Sequence, residues 1–208
     1  MATIFRTWSY QYPWLYGVIS ALAALNVGGE KRFHQLPLQD LSLTSQQTIL
    51  DLCCGGGQAT QYLVNIGGPV TGLDASPKAL ARAKLAVPDA TYVQGMAEAL
   101  PFGDRQFDLV HTSVALHEMT PDQLNQILAE VYRVLKPGGI FTFVDLHRPS
   151  NWLFWPPLAV FMWLFETETA WQLIKTDLSA LLVQRGFAIK RQTLYAGGSL
   201  QVMQAQKH

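Results

Sequence analysis

The stretch Ile49-Leu50-Asp51-Leu52-Cys53-Cys54-Gly55-Gly56-Gly57-Gln58-Ala59-Thr60 constrains the fold more than any other part of the chain. Residues 48–52 are apolar apart from two polar positions and read as a buried parallel strand, glycines follow at once, and residues 59–64 can start a helix. Three consecutive glycines permit positive φ and let a ligand lie directly on main-chain N–H groups at a helix N-terminus. The turn is therefore a cradle for a polar, nucleotide-like group. Asp51, at the carboxyl end of the strand, is placed to meet a cationic or hydroxyl-bearing group in the crevice where open α/β sheets bind ligands. A second strand at 70–73 leads to Asp74, about 20 residues beyond Gly55, where an acid accepts hydrogen bonds from ribose hydroxyls.

Composition narrows the partners. Charged residues make up only 14% of the chain against 49% apolar, where soluble chains average roughly 25% charged, so a greasy surface or a large apolar cavity is expected. Lys plus Arg and Asp plus Glu balance at 15 each with no basic run, which argues against nucleic acid as a partner. Cys53 and Cys54 are neighbours with no distant partner for a bridge, so a reducing compartment is expected. The first residues show no cationic segment followed by an apolar core. A cytoplasmic protein, with membrane contact left open, fits these features.

Along the chain, residues 1–45 are expected to form a helical cap, rich in aromatics at 8–16 and apolar at 18–25, with a short helix at 30–36 stopping before Pro37. The cofactor-binding core should span 46–146, with a helix at 78–85 behind Ser76-Pro77, strands at 90–93 and 108–113, a helix capped by Thr120 and running to Leu135, and a turn at Pro137-Gly138-Gly139 into a strand at 140–144. An apolar run of fourteen residues, 152–165, contains two prolines and is shorter than the roughly 20 residues a membrane-spanning helix needs. It fits an interfacial element or the wall of an apolar pocket. A helix at 178–185 and strands at 187–193 and 200–205 close a single domain, with 147–175 as its apolar cap and 176–208 as its final unit.

Five signals occur in a telling order: Leu50-Asp51-Leu-Cys-Cys-Gly-Gly-Gly57, Gly72-Leu-Asp74-Ala-Ser-Pro77, Glu98-Ala-Leu-Pro-Phe102, Phe107-Asp108-Leu-Val110 and Leu135-Lys-Pro-Gly-Gly139. As a set they resemble the class I S-adenosylmethionine-dependent methyltransferases over residues 48–146. The resemblance implies an α/β fold, a Rossmann-like seven-stranded sheet with helices on both faces and its last strand antiparallel. It implies that Asp51 and the turn with Cys53, Gly55 and Gly57 hold the methionine end of S-adenosylmethionine, that Asp74 holds its ribose, and that Ala75, Met96, Ala97 and Ser113 complete its site. Met96 stands where the family often has an acid, so an apolar contact on the adenine ring replaces a hydrogen bond. Cys53 stands where the family usually has glycine, which tightens the first bend.

Within that family the chain resembles the C-methyltransferases of ubiquinone and menaquinone biosynthesis, through the early aromatic stretch to Tyr16 with Ile19-Ser20, Gly28-Gly-Glu30-Lys-Arg-Phe33, and Arg185-Gly-Phe187 to Gly197-Gly198. That implies a lipophilic prenylated quinone or quinol as acceptor, with 2-phytyl-1,4-naphthoquinone the best match; the residues themselves suggest no nucleic acid and no metal, and leave peripheral membrane contact through 152–165 open. Where the family has Arg-Asn after the fourth strand this chain has His117-Glu118. Carbon methylation of a hydroquinone ring needs a base on the hydroxyl proton, and His117 is the first candidate and Glu118 the second. His111 reads as a strand residue, and His147 could reach the same pocket. A small soluble acceptor is the main alternative. An NAD-dependent oxidoreductase lacks the last small residue of its glycine pattern, since Thr60 occupies that position.

Overall fold

The computed structural model describes residues 27–208 apart from Gly67 and Glu166. The aromatic stretch at 8–16 and the apolar helix expected at 18–25 lie outside the described residues.

The described chain opens with α1 (Glu30–Gln35), and a 3-10 turn (Leu36–Leu38) continues its path through Pro37 instead of ending before it. Then come β1 (Ile49–Leu52), α2 (Thr60–Val64), β2 (Val70–Asp74), α3 (Pro77–Ala86), β3 (Thr91–Gln94), β4 (Phe107–Ser113), α4 (Pro121–Val134) and β5 (Leu135–Leu146). Beyond β5 lie α5 (Trp155–Phe165), α6 (Glu168–Leu173), α7 (Leu178–Gln184), β6 (Phe187–Tyr195) and β7 (Leu200–Lys207). The seven strands form one sheet in the order β3-β2-β1-β4-β5-β7-β6. β1 pairs parallel with β2 and β4, and β7 runs antiparallel between β5 and β6. This is the Rossmann-like seven-stranded sheet expected from the sequence.

Alternation along the strands divides the core. Leu50, Leu52, Val110, Phe141 and Phe143 face α4, whose Leu124, Ile127, Leu128 and Val131 are buried against them. Each such side chain contributes about 2 kcal/mol by leaving water. On the other face Ile49, Leu109 and Val70 meet Leu63 of α2, while Val144 and Val202 meet Leu36. Helix α4 starts where its sequence dictates: Thr120 caps the Gln123 N–H, Gln123 reaches back to the Thr120 N–H, and Pro121 occupies the first turn, a capping box.

Two boundaries differ from expectation for physical reasons. Pairing of β5 with β4 begins at Leu135, and the Pro137-Gly138-Gly139 segment is a bulge within that pairing, with Gly138 at φ 77°. The two prolines of the apolar run do not interrupt its helix. They sit in the first turn of α5, where a missing N–H costs no intrahelical bond.

Candidate functional site

Strand order reverses at β1, since the chain passes outward through β2 and β3 and then returns to β4 on the other side. The crevice at the carboxyl ends of β1 and β4 is where such sheets bind ligands. Every site residue expected from the sequence lies on the segments that end at this edge.

The cradle is built from backbone. Cys53, Gly55 and Gly57 take φ of 57°, 54° and 89°, the left-handed region that glycine enters without cost and cysteine does not. At Gly57 a Cβ would only touch the backbone of Ala83, at 3.4 Å, so the positive φ and not lack of space selects glycine there. The Cys54 N–H donates to the Leu73 carbonyl at 3.0 Å, pinning the turn to β2. Asp74 Oδ2 accepts the Gly55 N–H at 2.9 Å and its Oδ1 accepts the Ser76 N–H at 2.8 Å. The carboxylate is thereby held at the crevice rim with lone pairs to spare. Ala75 is exposed beside it, and its carbonyl accepts from the Gln94 side chain at 3.3 Å.

Asp51 lies beneath the cradle, not in the open crevice, because its strand position directs it onto α2. It is 1% exposed, and its Oδ2 accepts from Thr60 Oγ1 at 2.6 Å. Burial pushes its pKa up to about 7, against the pull of the Thr60 bond and with help from the charge of Asp74. The Cys53 thiol is pushed up to about 12, first by burial and then by the negative charges of Asp74, Asp51, Glu98 and Glu118. Asp74, Glu98 and Glu118 thus add negative charge at one point of the crevice, joined by Asp51 as it ionises near pH 7, a field that favours a cationic ligand. On the far side Ala97 is buried while Met96 presents an apolar surface that is 50% exposed. Ser113, the last residue of β4, carries a buried hydroxyl with no hydrogen-bond partner among the described residues.

Past β4 the chain enters a strained bend. Val114 adopts φ 53°, a costly conformation for a β-branched residue, and its N–H donates to the Val144 carbonyl at 2.9 Å. A 3-10 turn (Leu116–Glu118) follows and carries both catalytic candidates. His117 is buried, and its Nδ1 lies 2.7 Å from Oδ1 of Asp145, which is wholly buried at the end of β5. Glu118 is next in the same turn and partly buried. His111 is a strand residue with its imidazole held down at about 3, by burial first and then by the neighbouring His34, itself lowered to about 4 by burial. His147 is engaged elsewhere, with Nδ1 2.9 Å from the Gly198 carbonyl.

Sequence reasoning passed over Asp145 and Val114. Asp145 had a readable signal, a lone acid ending an otherwise apolar strand on the ligand-binding edge of the sheet. Val114 had none, since the backbone conformation of a valine is set by what the chain must do on either side of it.

The apolar run forms a lobe that reaches this turn through the next helix, on which it packs. Helix α6 packs on the Leu116–Glu118 turn, and Leu158 and Met162 of α5 are buried with Leu146, Ala170 and Ile174. The opposite side of the run exposes Trp152, Leu153, Val160 and Trp163, the two tryptophans at 75% and 72%. Among the described residues no helix is long and apolar enough to cross a membrane.

Comparison with known proteins decides the family. The family described as "Methyltransferase domain" matches residues 49–139. A protein of Synechocystis sp. named "Uncharacterized methyltransferase sll0829" is 74% identical over 205 residues, covering 99% of this chain and 97% of that one. The chain belongs to the class I S-adenosylmethionine-dependent methyltransferases. A "2-phytyl-1,4-naphtoquinone methyltransferase" of Nostoc punctiforme is 33% identical to this methyltransferase over 150 residues, 68% of this chain and 63% of that protein. The methyltransferase therefore spans less than two thirds of the length of that quinone-acting relative. Its fold matches the crystal structure of an S-adenosylmethionine dependent methyltransferase from Mesorhizobium loti, with a TM-score of 0.66 at 24% identity, covering 86% of this chain and all of that one.

Proposed function

We propose that this methyltransferase methylates a ring carbon of a lipophilic prenylated quinol, with reduced 2-phytyl-1,4-naphthoquinone as the acceptor that fits best. The observation that carries the reading is the apolar run, whose Leu158 and Met162 pack with Ala170 of α6, the helix that sits on the turn holding His117. A long isoprenoid tail needs such a surface, and a small soluble acceptor does not. The quinone-methyltransferase name of a relative 33% identical over 68% of this chain supports the same acceptor class.

When bound, S-adenosylmethionine supplies a methyl group on a cationic sulfur. The residues at the crevice suit that group. The cradle of Cys53, Gly55 and Gly57 above Asp51 would take the methionine end, where the carboxylates of Asp74, Glu98 and Glu118 favour its positive charge. Asp74, fixed by two backbone N–H groups, and Ala75 would take the ribose hydroxyls. The exposed face of Met96 beside Ala97 would cover the adenine, and the unpaired Ser113 hydroxyl would gain a partner.

His117 acts on the acceptor. Taking the hydroxyl proton of the quinol leaves the electron pair on oxygen, from which it conjugates to the neighbouring ring carbon and makes it nucleophilic. That carbon gains the methyl group and loses its own hydrogen as a proton, while the ring oxygen takes back the proton held by His117, so one proton is released overall. Glu118 is the second candidate for the same service. The exposed side of the lobe would lie at the lipid surface, tryptophans at headgroup level, because α5, at about 16 Å for its length, is too short to cross a hydrocarbon core of about 30 Å.

The test is an assay of purified protein with methyl-labelled S-adenosylmethionine and chemically reduced 2-phytyl-1,4-naphthoquinone in detergent. Label is expected on the ring carbon of the quinol, with less on a short-chain analogue and none on the oxidised quinone. Cofactor binding with transfer only to soluble amines or carboxylates would select the small-acceptor alternative.

A further inference from the structure

We infer that Asp145 is a positioning residue that sets the tautomer and the aim of the His117 imidazole for deprotonating the acceptor. The inference rests on the proposed role of His117. A carboxyl group at the end of an apolar strand has no cheap reason to be there. Phe141, Phe143 and Val144 are wholly buried before it, and Asp145 itself is 0% exposed. Burying such a group costs several kcal/mol unless its lone pairs are satisfied.

Three donors satisfy it. Oδ2 accepts the Leu116 N–H at 2.7 Å, and Oδ1 accepts the Leu146 N–H at 2.7 Å. The third partner is His117 Nδ1 at 2.7 Å. Both oxygens already accept backbone N–H groups, so the carboxylate is furnished as an acceptor and Nδ1 is the donor. In the neutral ring the lone pair then belongs to Nε2. Nothing about β5 itself requires this arrangement, because a serine or asparagine could cap the Leu116 N–H equally well. What a carboxylate adds is a fixed proton on Nδ1 and a negative charge 2.7 Å from the ring at the moment it becomes an imidazolium. The chemical step stays balanced without any proton reaching Asp145. The acceptor O–H bond breaks, its proton passes to Nε2, and the electron pair remains with the acceptor.

Asp145→Asn separates this role from simple support of the turn. With its amide oxygen on the Leu116 N–H, the NH2 group meets Nδ1 and the Leu146 N–H and drives the imidazole to the tautomer protonated on Nε2, which loses its base; with its oxygen kept on Nδ1 and the Leu146 N–H, the ring keeps its tautomer but loses the charge that stabilises the imidazolium. With folding and S-adenosylmethionine affinity retained, as checked by melting and calorimetry, kcat is expected to fall by on the order of 100-fold or more with little change in the KM for the quinol. The direct readout is the 15N spectrum of His117. The wild-type ring should carry its proton on Nδ1 and show an unprotonated Nε2, and in Asp145→Asn either the two signals exchange character or the tautomer is kept while kcat falls. A wild-type ring protonated on Nε2, or a variant with unchanged tautomer and unchanged kcat, overturns the inference. If Asp145→Asn does not fold, the wild-type tautomer alone still decides. Because that spectrum needs no acceptor, an Nδ1-protonated ring together with no transfer to any quinol removes the acceptor assignment and leaves the Asp145–His117 pair standing.

Discussion

The cradle and the apolar lobe occupy opposite banks of the crevice and are held in place by different physics. The cradle is a backbone object. Its three positive-φ residues, the Cys54 N–H on Leu73 and the two N–H groups on Asp74 are all made within 24 residues of sequence, from Cys53 to Ser76. The lobe is a tertiary object. Its foot is fastened by the distant Gly197-Gly198 turn, where the Gly197 carbonyl accepts the N–H groups of Ser150 and Asn151, each at 3.0 Å. Local geometry therefore specifies the cradle almost completely, while the lobe can vary without disturbing the sheet.

The largest expected effect comes from cutting that fastening. The Gly197 backbone lies so close to Phe154 that a Cβ there would land inside the ring, and its φ is 62°. Gly197→Ala should cost about 3 kcal/mol from overpacking and backbone strain together, spent mainly by releasing residues 150–165. Tryptophan fluorescence and limited proteolysis would report the release. Transfer to a long-tailed quinol should drop at least 100-fold with S-adenosylmethionine affinity within twofold of wild type. Equal losses on both banks would break the distinction drawn between them.

Acidity probes the cradle side alone. His34 and His111 are held at about 4 and about 3, so between pH 4 and 6.5 the unfolded chain binds two protons there that the folded chain refuses. Asp51 works the other way, since the folded chain keeps its proton up to about pH 7 while the unfolded chain releases it near 3.8. The unfolded state thus holds one proton more in that window, and stability should rise with pH by about 1.4 kcal/mol per unit, roughly 3 kcal/mol across it. Asp51→Asn removes the opposing proton and should double the slope. Denaturant titrations at pH 4.5, 5.5 and 6.5 measure both slopes, and an unchanged slope in the variant would mean that Asp51 is already ionised beneath the cradle.

On the lobe, Trp152→Gln with Trp163→Gln should leave the melting temperature nearly unchanged, because both side chains are mostly in water. Partitioning onto lipid vesicles should fall about tenfold or more, since the apolar area these rings would bury is worth about 1 kcal/mol each or more. Unaltered partitioning would remove the stripe from the membrane surface and leave the cradle argument untouched.

These contrasts also explain what the sequence could reveal. The strand-glycine-helix unit, Asp74 and the capped helix α4 were legible because each depends on neighbours a few residues away. The apolar run was visible as composition, but its sidedness was not, because Leu158 and Met162 face inward only where Leu146 and Ala170 meet them. His117 could be placed at the sheet edge, whereas its Asp145 partner lies 28 residues further on and becomes a neighbour only when β4 and β5 pair. The depth of Asp51 was likewise hidden, since Thr60 draws it under the turn through a contact that spacing alone does not announce.

The smallest expected effect is the sharpest test of the cradle. At an ordinary half-buried position alanine is more stabilising than glycine, because glycine loses more backbone freedom on folding. Position 53 should reverse that order. An L side chain at φ 57° costs about 1–2 kcal/mol relative to the right-handed region, and glycine escapes this cost while giving back about 0.5–1 kcal/mol of chain entropy. Cys53→Gly loses the thiol's packing against the central core, so its own stability should stay close to wild type. Cys53→Ala loses the same sulfur and keeps the strain, so it should melt a few degrees lower than Cys53→Gly, at 2–4 °C per kcal/mol for a chain of about this size. If alanine proves the more stable of the two, the left-handed turn at residue 53 is wrong, and the backbone account of the cradle fails with it.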